Sequence, residues 1–290
     1  MAGHYGPTFE LEEGRTTPTN LLSEIMSNAP GIMACYFRCW RDIATGDPGN
    51  TARMGELPDE VDIAFVFPDG NEPARYWEAL QSDIIPALHR KQIKVVRTVA
   101  IDELIRPGAT AAAIYQRFFA STPGLDGLDI DIEHTLSASE REQAEGISRE
   151  LRQLLGQDRL FIYDTNELGD VQLLRALEPL LDYVLFQAYG QNPSRVQGHF
   201  DRMFQSFLAP SKFLVGFSFY EERGARWGDV RTPFESSTAH AYATWTPSQG
   251  PKAGIFSYAV DRDGVAEGDD TLQPTDFTWT KRLKSVMSRR

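Results

Sequence analysis

The chain has 290 residues, with 29 Lys and Arg against 41 Asp and Glu and a net charge of -12. That balance argues against a nucleic-acid backbone or an anionic membrane surface as partner, so the expected ligand is neutral or small. No apolar run reaches the roughly 18 residues that span a bilayer, and "MAGHYGPTFELEEG" lacks the apolar core of a signal peptide.

Residues 1–29 read as a Pro/Gly/Thr-rich lead-in with a helix around "NLLSEIMSNA". Eight strand-like apolar runs follow, at 31–37, 61–67, 93–100, 127–133, 160–166, 183–189, 213–220 and 254–260. The only two cysteines, Cys35 and Cys39, fall in "GIMACYFRCWRD", one inside the first run and one just past it. An extended backbone holds them about 13 Å apart, beyond disulfide reach, so both are expected as free thiols.

Segments of helical periodicity separate the runs. In "PARYWEALQSDIIPALHRK", Trp77, Leu80, Ile84 and Leu88 recur at spacings of three and four. In "SASEREQAEGISRELRQLLG", Ser137 and Glu140 form a capping-box pattern, Ile147, Leu151, Leu154 and Leu155 line one face, and Gly156 closes the end. "GARWGDVRTPFESSTAHAY" reads as a long loop. Nearly all-apolar strands, each followed by a covering segment, are what a parallel sheet buried on both faces requires. The expected fold class is therefore α/β, a single (β/α)₈ TIM barrel occupying 1–290, with no linker that would divide it.

The fourth run carries "GLDGLDIDIEH", in which Asp126, Asp129, Asp131 and Glu133 alternate with apolar residues. Residues two apart on a strand share a face, so Asp129, Asp131 and Glu133 point into the barrel while Leu128, Ile130 and Ile132 meet the helices. Asp126 is out of phase, which suits a structural bond near the strand's start. Each two-residue step climbs about 6.6 Å, placing Glu133 highest, at the C-terminal mouth where barrel active sites are built. Crowded carboxylates in a low dielectric share protons, and at least one pKa rises. A raised carboxyl at the mouth suits a general acid that protonates a leaving glycosidic oxygen. The alternatives are a metal site made of the three acids and an acid ladder retained in a binding protein without turnover.

The spacing Asp-x-x-Asp-x-Asp-x-Glu resembles the signature of family 18 glycoside hydrolases. "ACYFRCWRD", "MGELPDEVDIAFVF", "GFSFYEE" and "GIFSYAVDRDGVA" resemble segments of its endo-β-N-acetylglucosaminidases, the endoglycosidase S type above all, from about residue 30 to about residue 266. The resemblance implies cleavage between the two core N-acetylglucosamines of an Asn-linked glycan, without metal or organic cofactor. By it, Glu133 is the proton donor and later the base. Asp131 holds the acetamido N–H of the substrate, whose own carbonyl oxygen attacks the anomeric carbon, and Asp129 trades a proton with Asp131. Tyr189 in "FQAYG" supports the acetamido carbonyl; its plainer reading is a barrel-lining aromatic.

The expected substrate-binding set is Gln187, Asp164, Asn166, Glu221, Tyr258, Phe37 and Trp245. Trp40 and Trp227 are further stacking candidates. By the same resemblance Tyr258 stands where many chitinases of the family have a tryptophan, and the smaller ring leaves room for a branch such as core fucose. The implied partners are N-glycans and N-glycoproteins, acted on by a secreted monomer. Antibody-recognising modules like those of the streptococcal enzyme are not expected in these residues. A chitinase acting on N-acetylglucosamine polymers and a silent glycan-binding lectin are the rival readings.

Overall fold

The computed structural model describes residues 31–224 and 226–288; the helix expected around "NLLSEIMSNA" lies outside them. Eight strands form, β1 (Ile32–Arg38), β2 (Ile63–Phe67), β3 (Lys94–Ala100), β4 (Gly127–Ile132), β5 (Leu160–Thr165), β6 (Tyr183–Gln187), β7 (Phe213–Ser218) and β8 (Gly254–Tyr258). They pair in chain order, all parallel, and β8 pairs back onto β1 to close the barrel.

Period-two alternation divides the apolar residues between two cores. Ala34, Tyr36, Phe65, Val96, Ile162 and Phe256 fill the barrel interior. Met33, Cys35, Phe37, Leu128, Ile130 and Ile132 face the outer layer of helices. At Gly216 any side chain would overlap the ring of Phe256, so the missing Cβ is what lets that ring plug the interior. With the lower barrel filled in this way, open space is left at the C-terminal mouth.

The cover over 74–90 is one helix with a π turn at Leu80–Ile84 between Ala74–Ala79 and Ile85–Arg90. Leu80, Ile84 and Leu88 are buried, and Trp77 is partly buried against the same core. The helix Ala138–Leu155 begins with a complete capping box, Glu140 N donating to Ser137 Oγ and Ser137 N to Glu140 Oε2, an arrangement worth about 1 kcal/mol. Ile147, Leu151 and Leu155 are buried, whereas Leu154 is 44% exposed. At about 100° per residue the buried arc runs from Ile147 through Leu151 and Ala144 to Leu155, and Leu154 falls just outside its edge.

Two expectations about connections are corrected. Among the described residues no α-helix joins β1 to β2; the path runs through short 3₁₀ turns at Cys39–Arg41, Ile43–Thr45 and Met54–Glu56, consistent with the helix-breaking "TGDPGN" between them. The segment read as a long loop after β7 turns helical at Phe234–Ser236 and Thr238–Thr244, where Ser237 Oγ accepts from His240 N as the N-cap. Seven residues of helix show too few turns for their periodicity to be read. Cys35 and Cys39 are buried free thiols.

Candidate active site

β4 delivers its acids in the order that its pleat dictates. Asp129 is fully buried, Asp131 partly so, and Glu133, one residue past the strand's end, is exposed. Above them opens a cavity of about 420 Å³ lined by Asp131, Glu133, Asp164, Asn166, Gln187, Tyr189, Glu221 and Tyr258, together with Tyr36, Phe67, Glu167, Leu168, Gln191 and Trp227.

Glu133 is held by two amides. Gln187 Nε2 donates to its Oε1 at 2.9 Å and Asn166 Nδ2 to its Oε2 at 3.3 Å. Gln187 Nε2 also donates to Asp164 Oδ2 at 2.9 Å. Asp164 is buried beside Asp131, since the two are register partners across β4 and β5. Beneath, Asp129 Oδ2 accepts from Tyr36 Oη at 2.8 Å and from Thr98 Oγ1 at 2.9 Å.

Burial raises three of these carboxyls. Asp129 is pushed up to about 7, the hydroxyls of Tyr36 and Thr98 opposing the shift. Asp131 is pushed up to about 8, first by burial and then by the charges of Glu133 and Asp129. Asp164 lies well above the carboxylate range through burial and the charges of Asp131 and Asp129. In each of the three, Oδ1 is buried without a hydrogen-bond partner. Full ionisation would leave those oxygens uncompensated, so protons stay within the trio near neutral pH. Burial likewise keeps the Tyr189 and Tyr258 hydroxyls protonated, and therefore able to donate.

The wall formed by the ends of β1, β7 and β8 is an ion cluster. Arg38, 1% exposed, donates to Asp261 at 2.7 Å, to Glu222 at 2.8 Å and to Glu221 at 3.5 Å. Arg41 also donates to Glu222, at 2.7 Å. Burial acts to raise the Glu222 carboxyl, but the bonds and charge of Arg38 bring it down to about 2. Glu221, facing the cavity, is raised by burial against the pull of Arg38.

Phe37 and Trp245 are not at the cavity. Phe37 points from β1 into the outer core, and the side chain that enters the site is its neighbour Tyr36. β1 is apolar on both faces, so composition did not reveal its phase. Trp245 follows the C-terminus of the helix Thr238–Thr244 and packs on the outer core. That helix returns the chain to the start of β8, so Trp245 sits at the end of the barrel opposite Glu133. Of the other tryptophans, Trp227 lines the cavity while Trp40 leans on Phe67 with ring centroids 6.1 Å apart. Asp126 lies at the start of β4, where Oδ2 accepts from Val95 N at 2.8 Å and contacts His89 Nε2 at 2.8 Å. Tyr36, Thr98 and Arg38 escaped the sequence reading; a hydroxyl on the inward phase of β1 or β3, level with Asp129, was the signal for the first two.

A family model described as the endo-beta-N-acetylglucosaminidase EndoS TIM-barrel domain matches residues 35–257. Endo-beta-N-acetylglucosaminidase F2 of Elizabethkingia meningoseptica is 35% identical over 280 residues, covering 89% of this chain and 82% of that protein. Endo-beta-N-acetylglucosaminidase EndoSd of Streptococcus dysgalactiae is 33% identical over 338 residues, and the alignment takes in 92% of this chain but 40% of that protein. Among solved structures, an endo-beta-N-acetylglucosaminidase from Cordyceps militaris superposes with a TM-score of 0.84 at 42% identity, covering 95% of this chain and 97% of that one. It is a variant with an Asp→Asn and a Glu→Gln substitution two positions apart, in complex with fucosyl-N-acetylglucosamine-Asn. The matched span runs from β1 to β8 and includes the acid-bearing β4, and the chain belongs to the endo-β-N-acetylglucosaminidase family of glycoside hydrolases.

Proposed function

We propose that the chain hydrolyses the β-1,4 bond between the two core N-acetylglucosamines of Asn-linked glycans, with retention, using the substrate's own 2-acetamido oxygen as nucleophile. One observation carries this reading: Asp131, raised and proton-sharing, stands on β4 two residues before Glu133, which follows the end of the same strand. In the first step Glu133 gives its proton to the glycosidic oxygen while the acetamido oxygen bonds to the anomeric carbon and the C–O bond breaks. Asp131 accepts the acetamido N–H and offsets the positive charge of the oxazolinium ion. Water then attacks the anomeric carbon, Glu133 takes its proton, and two inversions give net retention.

To accept that N–H, Asp131 must shed its own proton. Asp129, raised to a similar degree, is a near-matched acceptor, so the transfer within the trio is inexpensive. Tyr189 donates to the acetamido carbonyl, and Gln187 with Asn166 aims Glu133. The accepted glycans are complex-type and include core-fucosylated ones. Tyr258 leaves space at the wall, and the fungal relative in complex with fucosyl-N-acetylglucosamine-Asn supports the same reading. The enzyme acts outside the cell, on glycoproteins.

The test is incubation with defined N-glycopeptides, with and without core fucose, and with chitin oligomers, followed by mass spectrometry. A single N-acetylglucosamine left on asparagine, with its fucose where one was present, is the expected product. Cleavage of chitin alone would overturn the assignment, and refusal of the fucosylated peptide would remove the fucose claim.

A further inference from the structure

We infer that Asp229 is a positioning residue for Tyr189, fixing the turn that carries it through the backbone. The inference rests on the role given to Tyr189 above.

The sheet stops holding this turn just where the chemistry needs it. The last pair between β6 and β7 is Gln187 with Gly216, and Tyr189 lies two residues further on. Beyond that point side chains replace the ladder. Asp229 Oδ1 accepts from Gly190 N at 3.0 Å, and its Oδ2 accepts from Ser218 N at 2.9 Å. One carboxylate thus bridges the turn after β6 to the last residue of β7. On the other side of Tyr189, Tyr242 Oη donates to Ala188 O at 2.6 Å. Both chain neighbours of Tyr189 are therefore pinned by side chains from the segment between β7 and β8.

Asp229 is fully buried. A buried carboxylate is expensive unless its oxygens are satisfied, and here each oxygen meets one backbone N–H. An asparagine supplies a single carbonyl oxygen and would turn its NH₂ toward the other N–H, donor against donor. Trp227, two residues before Asp229, closes the remaining side. A Cβ on Gly190, whose φ is +69°, would come 3.0 Å from Trp227 Cε3, and the Tyr189 and Trp227 ring centroids are 6.1 Å apart. The turn is enclosed by the loop that Asp229 anchors.

The experiment is a double-mutant cycle on the full chain, with steady-state cleavage of an N-glycopeptide as readout. Asp229→Asn is expected to lower kcat about 10- to 100-fold, the scale for misplacing an active-site group by an ångström, with KM changed less than about 2-fold. In a Tyr189→Phe background the same substitution is expected to lower kcat less than about 2-fold, because the hydroxyl it aims is gone. Equal penalties in the two backgrounds would overturn the inference and reduce Asp229 to a general anchor. Near-UV circular dichroism and melting check that each variant is folded. Should Asp229→Asn fail that check, Tyr242→Phe decides, since it removes only a hydroxyl: a kcat loss confined to the background with Tyr189 intact supports the inference, and no loss in either background overturns it. Wild-type kcat in Tyr189→Phe itself would fell the Tyr189 role and this inference together, whereas a large Tyr189→Phe loss with additive Asp229→Asn fells the inference alone.

Discussion

The side-chain nitrogen of Gln187 lies 2.9 Å from Glu133 Oε1, and that same nitrogen lies 2.9 Å from Asp164 Oδ2. One NH₂ group thus serves an exposed acid and a buried one, donating to each. Gln187→Leu removes both bonds. A hydrogen bond to a charged group is worth about 1.5–3 kcal/mol, so a fall in kcat of about 10- to 100-fold is expected. Steady-state kinetics on a glycopeptide measures it, and an unchanged kcat would show that Glu133 is aimed without Gln187.

Glu133→Gln keeps the shape of the side chain and removes its proton. General acid–base catalysis contributes about 10²- to 10⁴-fold, so hydrolysis is expected to drop by at least that range while glycan binding, read by calorimetry, persists. A chelator is expected to leave the wild-type rate unchanged. A rate lost to chelator and restored by a divalent cation would revive the metal alternative.

Asp129 and Asp131 also set a pH dependence of stability. Their ordinary value of 3.8 rises to about 7 and about 8 in the folded chain, chiefly through burial. Between pH 4 and 8 the folded state therefore binds protons that the unfolded state has released. The stability they contribute is full below about pH 4 and is lost as pH rises through 7 and 8. Asp131→Asn has no proton to lose, so its melting temperature is expected to fall less than that of wild type between pH 5 and pH 9. Parallel melting curves would show that Asp131 is not raised.

Arg38→Met tests the ion cluster. The substitution preserves much of the volume but leaves Asp261 and Glu222 facing each other in a buried wall without the shared cation. Breaking a buried pair by removing one partner costs about 3–5 kcal/mol. Urea denaturation is expected to show a loss of that size, and a loss below 1 kcal/mol would mean that Arg41 or Arg262, the latter 3.6 Å from Glu222, takes over the compensation.

How far the site was readable depended on phase. On β4 the acids and the apolar residues alternate, so Asp129, Asp131 and Glu133 announce which face is which. On β1 both faces are apolar, since one fills the barrel and the other meets the helices, and Phe37 was chosen where Tyr36 is the residue that enters the site. Trp245 failed for another reason: nothing in a tryptophan says at which end of a barrel it lies, and the seven-residue helix that carries it away from the mouth was read as loop. The Arg38 cluster joins residues 38, 41, 221, 222 and 261, contacts of sequence separation up to 223, which no local pattern encodes. The eight strands were legible because each is a short apolar run bounded by polar or Gly-containing segments.

Because Asp129 and Asp131 lie on β4 and Glu133 follows its end, the proposed reaction occupies one side of the mouth, with β5 and β6 as its supports. The facing side, built from Tyr36, Phe67 and Tyr258 around the ends of β1, β2 and β8, carries no proton-transfer duty beyond the Tyr36 bond to Asp129. Phe67 and Tyr258, whose rings meet edge-on at 5.7 Å, are on the proposed function the positions where substitution is expected to reshape the space for a branched sugar. On that reading chemistry and selectivity lie on separate halves of one ring of strands, and varying those two positions is expected to alter glycan preference with little change in the pH profile.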